Sequence, residues 1–88
     1  MRKPGDWMQN PTDERILEAL NTGMELGPTV IGRNIDRERS GVSKRLSTLA
    51  AYGLVNKVDD GYYEITDLGE QYLDGDLDAD ALEPADDG

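Results

Sequence analysis

The chain has 88 residues, a length that can bury only one small core, so we expect a single domain. It contains no cysteine and no histidine, which excludes disulfides, thiolate metal sites and imidazole catalysis, and we expect no metal or cofactor. The formal net charge is −10. No segment approaches the roughly 20 apolar residues of a membrane span, so we expect a soluble, cytoplasmic protein without a membrane partner.

Residues 1–11 contain two prolines and a glycine and are interpreted as an N-terminal arm. Trp7 and Met8 are unusually apolar for such a segment. They either fold back onto the core as a local cover or pack against a second subunit as part of a dimer interface. The residues alone leave both interpretations open.

Two amphipathic stretches predict the first two helices. The first has Thr12 as its N-cap residue, acidic residues in its first turn, where the helix dipole favours anions, and Gly23 as its stop. The second begins at Gly27-Pro28, because proline at the first helical position loses no hydrogen bond. The apolar residues expected to face the core are Ile16, Leu17, Ala19, Leu20, Val30, Ile31 and Ile35.

The third predicted helix follows a turn over residues 34–36, with Asp36 or Ser40 as its N-cap. It ends at Tyr52-Gly53, where glycine can adopt the left-handed conformation that closes a helix. At 100° per residue, one side of this helix is apolar and the other carries hydroxyls and an amine. The inward residues are Val42, Leu46 and Leu49, with Ala50 at the margin. The outward residues are Ser40, Ser43, Lys44, Ser47 and Thr48.

Positive charge is concentrated around this third helix. Between Arg33 and Lys57 there are six basic and two acidic residues, a net charge of +4, so the remainder of the chain carries −14. An outer face with hydroxyls and amines suits an anionic partner, because Ser, Thr, Lys and Arg reach both base edges and phosphates of DNA. The acidic bulk composition, with three lysines and no phenylalanine, resembles that of proteins from salt-accumulating halophiles.

Two β-prone runs follow, residues 54–58 and 62–66, and the Asp-Gly pair within Asp59-Asp60-Gly61 predicts a hairpin between them. Thr66-Asp67 then caps a fourth helix. Residues 75–88 are interpreted as an acidic C-terminal tail, most of which we expect in solvent. The residues expected to pack inward are Leu54, Val58, Tyr63 and Ile65 from the hairpin and Leu68, Tyr72 and Leu73 from the fourth helix.

This order of elements resembles the winged helix-turn-helix of DNA-binding transcriptional regulators. Two segments carry the resemblance: Val42-Ser43-Lys44-Arg45-Leu46, continuing to Gly53-Leu54-Val55, and Gly61-Tyr62-Tyr63-Glu64-Ile65-Thr66-Asp67-Leu68-Gly69. They are similar to the recognition helix that leads into the wing and to the return strand that leads into the last helix. With its arm and tail, the whole chain resembles small haloarchaeal winged-helix proteins related to a phage repressor.

The resemblance implies a mainly α fold with a small β-hairpin (α+β) and a winged-helix domain over residues 12–74. It also implies a sequence-specific regulator of transcription, a repressor, that binds double-stranded DNA with helix three in the major groove. Because one helix rarely gives enough specificity against genomic competitors, we expect a homodimer. The implied groove-facing residues are Arg37, Ser40, Ser43, Lys44 and Ser47. The implied phosphate contacts are Arg33, Arg45 and Lys57.

Several alternatives remain open at this point. Wing tips that grip DNA carry Arg or Lys, whereas this one is Asp59-Asp60, so the wing either stays clear of DNA or contacts it through bound cations. Arg45 lies nearer the core edge and alternatively pairs with an acidic neighbour. The alternative function is a winged-helix protein-interaction module without DNA binding of its own.

We expect neither enzyme activity nor a small-molecule ligand. The acidic side chains are abundant, but no cleft-forming sequence surrounds them, and the chain has no phosphate loop or nucleophile motif.

Overall fold

The computed structural model describes residues 1–85. Within them, the chain forms α1 (Thr12–Leu20), α2 (Pro28–Ile35), α3 (Arg39–Ala51), β1 (Val55–Lys57), β2 (Tyr63–Ile65), α4 (Asp67–Leu73) and a 3-10 helix (Ala79–Ala81). The order helix, helix, helix, strand, strand, helix confirms the predicted fold class, a mainly α winged helix with a small hairpin. None of the helices in residues 1–85 is long and apolar enough to span a membrane.

One apolar core joins the first three helices, the hairpin and α4. Its buried members are Ile16, Leu17, Leu20, Ile31, Ile35, Val42, Leu46, Leu49, Leu54, Val55, Tyr63, Tyr72 and Ala79. Three residues predicted to face inward are instead exposed, namely Val30, Val58 and Leu68. Val30 and Leu68 each precede a buried helical residue and therefore lie about 100° away from the buried side. Val58 lies beyond the last paired residue of β1.

Two predicted helix caps are wrong. α1 begins at Thr12 itself, so the N-cap position is Pro11. α3 begins at Arg39 with Glu38 at the N-cap, and Asp36 instead closes α2 in the left-handed conformation with φ 59°. Aspartate is one of the few residues that tolerate this conformation, so it ends the second helix rather than starting the third.

The predicted ends of α3 and of the hairpin agree with the structure. Gly53, with φ 82°, follows the last turn of α3, and Gly61, with φ 84°, closes the hairpin turn. The Thr66 hydroxyl accepts a hydrogen bond from the Gly69 amide at 3.2 Å and so caps α4.

Close approach of backbones fixes the turn between α2 and α3. A Cβ placed on Gly32 would lie 2.6 Å from the carbonyl oxygen of Arg37, which is closer than real contacts allow. The Arg37 amide in turn donates to the Gly32 carbonyl oxygen at 2.9 Å. The turn between the two helices therefore requires glycine at this position of α2.

The hairpin is antiparallel, with Val55 opposite Ile65 and Lys57 opposite Tyr63. Leu26, in the connection between α1 and α2, pairs with Tyr63 through two backbone hydrogen bonds of 2.9 Å. Because an isolated two-stranded hairpin is marginal in water, this added bridge and the core contacts hold the wing in place.

The arm and the tail pack against each other. The Ala79 amide donates to the carbonyl oxygen of Lys3 at 2.9 Å, and the Trp7 indole donates to the carbonyl oxygen of Ala79 at 2.9 Å. Ala79 is fully buried, whereas the acidic tail side chains up to residue 85 are exposed. The division into an arm (1–11), a winged-helix domain (12–74) and a tail (75–88) stays a prediction, and residues 86–88 lie outside the described part of the chain.

A polar cluster anchors the start of the arm on α1 and α4. The Arg2 guanidinium forms ion pairs with Glu14 at 3.4 Å and Glu18 at 3.0 Å and donates to the Leu73 carbonyl oxygen at 3.1 Å. The Tyr72 hydroxyl donates to Glu14. Burial, together with this hydrogen bond, raises the pKa of Tyr72 well above its ordinary value, so the hydroxyl remains a donor.

Candidate nucleic-acid interface

The outer face of α3 is open to solvent. Ser40, Lys44 and Ser47 are exposed and follow one another at intervals of four and three residues, so they form one line along the helix. Ser43 and Thr48 flank this line and are half-buried. The side chains that point the other way lie in the core. The helix therefore presents hydroxyls and an amine outward, as the sequence predicts.

Neither the hairpin nor the described tail covers this line. A groove of about 300 Å³ separates Ser47 from the hairpin residue Lys57. The described tail contacts the last turn of α3, where the Ala85 amide donates to the Ala51 carbonyl oxygen at 2.6 Å. Lys44 and Ser47 consequently stay accessible to a partner.

Exposed cations flank α3. Arg33 lies in the last turn of α2, Arg37 in the connecting turn and Lys57 at the end of β1. Arg37 donates to the Thr12 hydroxyl at 3.4 Å and to the Asp36 carbonyl oxygen at 3.2 Å, so its guanidinium lies across the start of α1.

Arg39 is a residue that the sequence prediction omitted. It is the first residue of α3, is exposed, and lines a groove of about 400 Å³ together with Arg33 and Arg37. Arg39 lies between Arg33 and Lys57, where the sequence has its excess of basic residues, and this position could have identified it.

Arg45 is bound within the protein. Its Nε and Nη2 atoms donate to the two carboxylate oxygens of Asp13 at 2.9 and 2.8 Å, and Nη2 also donates to the Trp7 carbonyl oxygen at 3.3 Å. Hydrogen bonding to Asp13 raises the pKa of Arg45, which keeps the guanidinium charged. The structure therefore shows the alternative in which Arg45 pairs with an acidic neighbour. A phosphate contact by Arg45 stays a prediction.

The sequence prediction assigned Asp13 only a favourable place in the helix dipole. The carboxylate is in fact fully buried. Asp13 shares the spacing of the buried residues Ile16, Leu17 and Leu20, which places it on the apolar side of α1. An acid on that side indicated that a cation from another element would be needed to pair with it.

Trp7 and Met8 are half-buried against the core of their own chain. The Trp7 ring stacks on Tyr52, just after the end of α3, with ring centroids 3.7 Å apart and an interplanar angle of 3°. The two residues therefore act as a local cover. Their part in a dimer interface stays a prediction.

The wing tip remains acidic in three dimensions. Asp59 and Asp60 are exposed beside Lys57, and all three line a shallow groove. The Lys57 ammonium group is therefore followed by two carboxylates at the tip of the hairpin.

Comparisons with known proteins agree with this architecture. A sequence model of the family described as winged helix-turn-helix phage repressor matches residues 1–85. The repressor protein of Halobacterium phage phiH is 38% identical over 90 residues, which cover 97% of this chain and 100% of that protein. The crystal structure of the PhiH1 repressor-like protein from Haloarcula marismortui matches with a TM-score of 0.82 and 36% identity, over 96% of this chain and 97% of that one.

Proposed function

Because the chain belongs to the winged helix-turn-helix phage repressor family, we propose that it represses transcription by binding double-stranded DNA with α3 in the major groove. The exposed line of Ser40, Lys44 and Ser47 on α3 is the observation that carries this proposal. An α-helix with its side chains is about 10–12 Å wide, which suits a major groove about 12 Å wide. The name of the phiH relative, a repressor protein, supports the regulatory part of the proposal.

The contacts divide into two groups by their position around α3. The groove-facing group consists of Ser40, Ser43, Lys44 and Ser47, with Arg37 at its edge. The residues proposed to contact the DNA phosphates are Arg33 and Lys57, with Arg39 as an addition from the structure. We assign Arg45 a supporting role, because Asp13 and the Trp7 carbonyl oxygen occupy the donors on its Nε and Nη2 atoms.

The proposed active form is a homodimer. α3 has 13 residues and is therefore about 20 Å long, so one copy can read only a few base pairs. Two half-sites about one helical turn apart, read by two copies, supply the specificity that one copy lacks. The expected operator is an inverted repeat.

The acidic wing tip sets an expectation for salt dependence. About four phosphate contacts correspond to a slope of roughly −3.6 for log affinity against log salt. Cation uptake between Asp59, Asp60 and the DNA backbone opposes the release of counterions, so we expect a shallower slope. A slope of −4 or steeper between low and molar KCl would contradict this expectation.

Selection of bound fragments from random double-stranded DNA tests the proposal, and an enriched inverted repeat is the expected result. On that fragment, Lys44→Glu should abolish binding. Lys3→Glu makes the same change of charge at an exposed lysine of the arm and should bind like the wild type. The proposal fails if no sequence is enriched or if the two variants bind equally well.

The acidic wing tip favours one other function, a protein-interaction module that uses the same face of α3. In that case Asp59 and Asp60 would repel the DNA backbone. The module would enrich no DNA sequence in the selection.

A further inference from the structure

A groove of about 460 Å³ borders α3 on the side of the N-terminal arm. We name it the arm groove. Gln9 and Thr12 line it on one side, and Ser40, Gly41 and Lys44 of α3 line it on the other. The arm groove opens beside the exposed residues Ser40 and Lys44. A duplex bound to α3 would therefore lie next to its opening.

We propose that the arm groove holds a backbone phosphate of the bound duplex and that the Gln9 side chain donates a hydrogen bond to it. This inference rests on the proposed function and deepens it, because it extends the DNA contact surface from α3 to the arm. In this proposal, the buried ion pair of Asp13 and Arg45 positions Gln9 for the phosphate contact.

The charge around the arm groove favours an anion. Arg37 and Lys44 line it, and within residues 1–85 neither of them has a carboxylate within ion-pair distance. Glu38 is the acidic residue of the lining. The charge of Arg45, which also lines the groove, is neutralised by its ion pair with the buried Asp13. Two unpaired cations against one carboxylate leave the groove with a net positive charge.

The backbone of Gln9 is held at both of its polar atoms by Asp13. The Gln9 amide donates to the Asp13 carboxylate at 3.0 Å, and the Gln9 carbonyl oxygen accepts from the Asp13 amide at 2.9 Å. Arg45 fixes the same carboxylate and also the Trp7 carbonyl oxygen. The Gln9 side chain is nevertheless exposed. A side chain that starts from a fixed backbone loses less freedom on binding, and its amide supplies two donors.

Gly41 keeps the arm groove open. A Cβ built on this residue meets no atom within 4 Å, although Gly41 lies in the first half of α3 and lines the groove. A larger side chain at this position can therefore enter the groove without displacing the protein. Helix stability alone favours alanine over glycine here.

Two substitutions of Gly41 separate folding from binding. Gly41→Ala and Gly41→Leu should both melt at or above the wild-type temperature, because glycine is a poor helix former. Gly41→Ala should bind the selected duplex within about twofold of the wild type. Gly41→Leu fills the groove and should bind at least tenfold more weakly. Equal affinity of the two variants would overturn the inference.

Gln9→Ala tests the contact itself, with Gln71→Ala, at an exposed glutamine of α4, as the matched control. Gln9→Ala should weaken binding about three- to tenfold, the loss expected for one hydrogen bond, and Gln71→Ala should not. The loss should be the same on the selected duplex and on an unrelated one, because phosphate contacts carry no sequence information. The salt slope should not change, because a neutral amide displaces no counterion.

The outcomes distinguish this inference from the proposed function. If the wild type binds no duplex, both are refuted. If binding depends on Lys44 but not on Gln9, the inference alone is refuted. A Gln9→Ala loss confined to the selected duplex would assign Gln9 to a base edge and would likewise overturn the phosphate site.

Discussion

Replacing Arg45 with methionine should destabilise the protein strongly, because it leaves a buried carboxylate without its cation. The Asp13 side chain has 0% relative exposure and that of Arg45 has 14%. Two hydrogen bonds, of 2.9 and 2.8 Å, join them. In the Arg45→Met variant, the Gln9 amide is the one donor that remains for the carboxylate among residues 1–85.

The expected loss is large compared with the total stability of the domain. Removing one partner of a buried ion pair costs about 3–5 kcal/mol. A domain of this size has a free energy of unfolding of about 4–13 kcal/mol. Since 1 kcal/mol corresponds to about 4–8 °C for such a domain, the melting temperature should fall by at least about 12 °C.

A double substitution shows whether the unpaired charge is the cause. Asn in place of Asp13 keeps an acceptor for the Gln9 amide and removes the charge. The Asp13→Asn, Arg45→Met double variant should therefore cost less than about 2 kcal/mol, because replacing a whole buried pair is much less costly than breaking it. The control is Glu18→Gln, which removes an ion pair with Arg2 in which the Glu18 side chain is half-exposed. This control should cost less than about 1 kcal/mol.

Urea unfolding followed by the fluorescence of the single tryptophan, Trp7, measures these free energies. Salt screens a buried pair weakly, so the loss caused by Arg45→Met should be similar at low and molar KCl. A loss below 1 kcal/mol would contradict this account of Arg45. So would a double variant as unstable as the Arg45→Met single variant.

Three further predictions concern the turn, the interface and the last helix. Gly32→Ala should lower the free energy of unfolding in urea by about 1–3 kcal/mol, because the added Cβ would meet the Arg37 carbonyl oxygen at 2.6 Å. A neutral effect would mean that the turn between α2 and α3 can relax. Lys57→Gln should make the log-log salt slope of DNA binding shallower by about 0.9, and an unchanged slope would remove Lys57 from the phosphate contacts. Thr66→Ala should lower the unfolding free energy by about 1 kcal/mol and Thr66→Ser should not, since serine keeps the N-cap acceptor; equal effects would contradict the role of the hydroxyl.

Local sequence determined the elements and their order. The spacing of Val42, Leu46 and Leu49 placed α3 and its apolar side, and those residues are fully buried. Gly53 and Thr66 marked a helix end and a helix start that the structure contains. Such signals depend on neighbours within about one turn, so they can be read directly from the chain. The same periodicity predicted that Ser40, Lys44 and Ser47 would face outward.

Tertiary structure decided what lies beside that face. Asp13 and Arg45 are 32 residues apart, and their pairing depends on how α1 packs against α3. The place of Gln9 in the arm groove and the contact between Trp7 and Ala79 likewise require distant segments to meet. No local pattern encodes these contacts, because hydrophobic periodicity specifies which side of a helix is buried but not which side chains of other elements it meets. The sequence therefore determined which side of α3 faces outward, and packing decided which neighbouring groups share that surface.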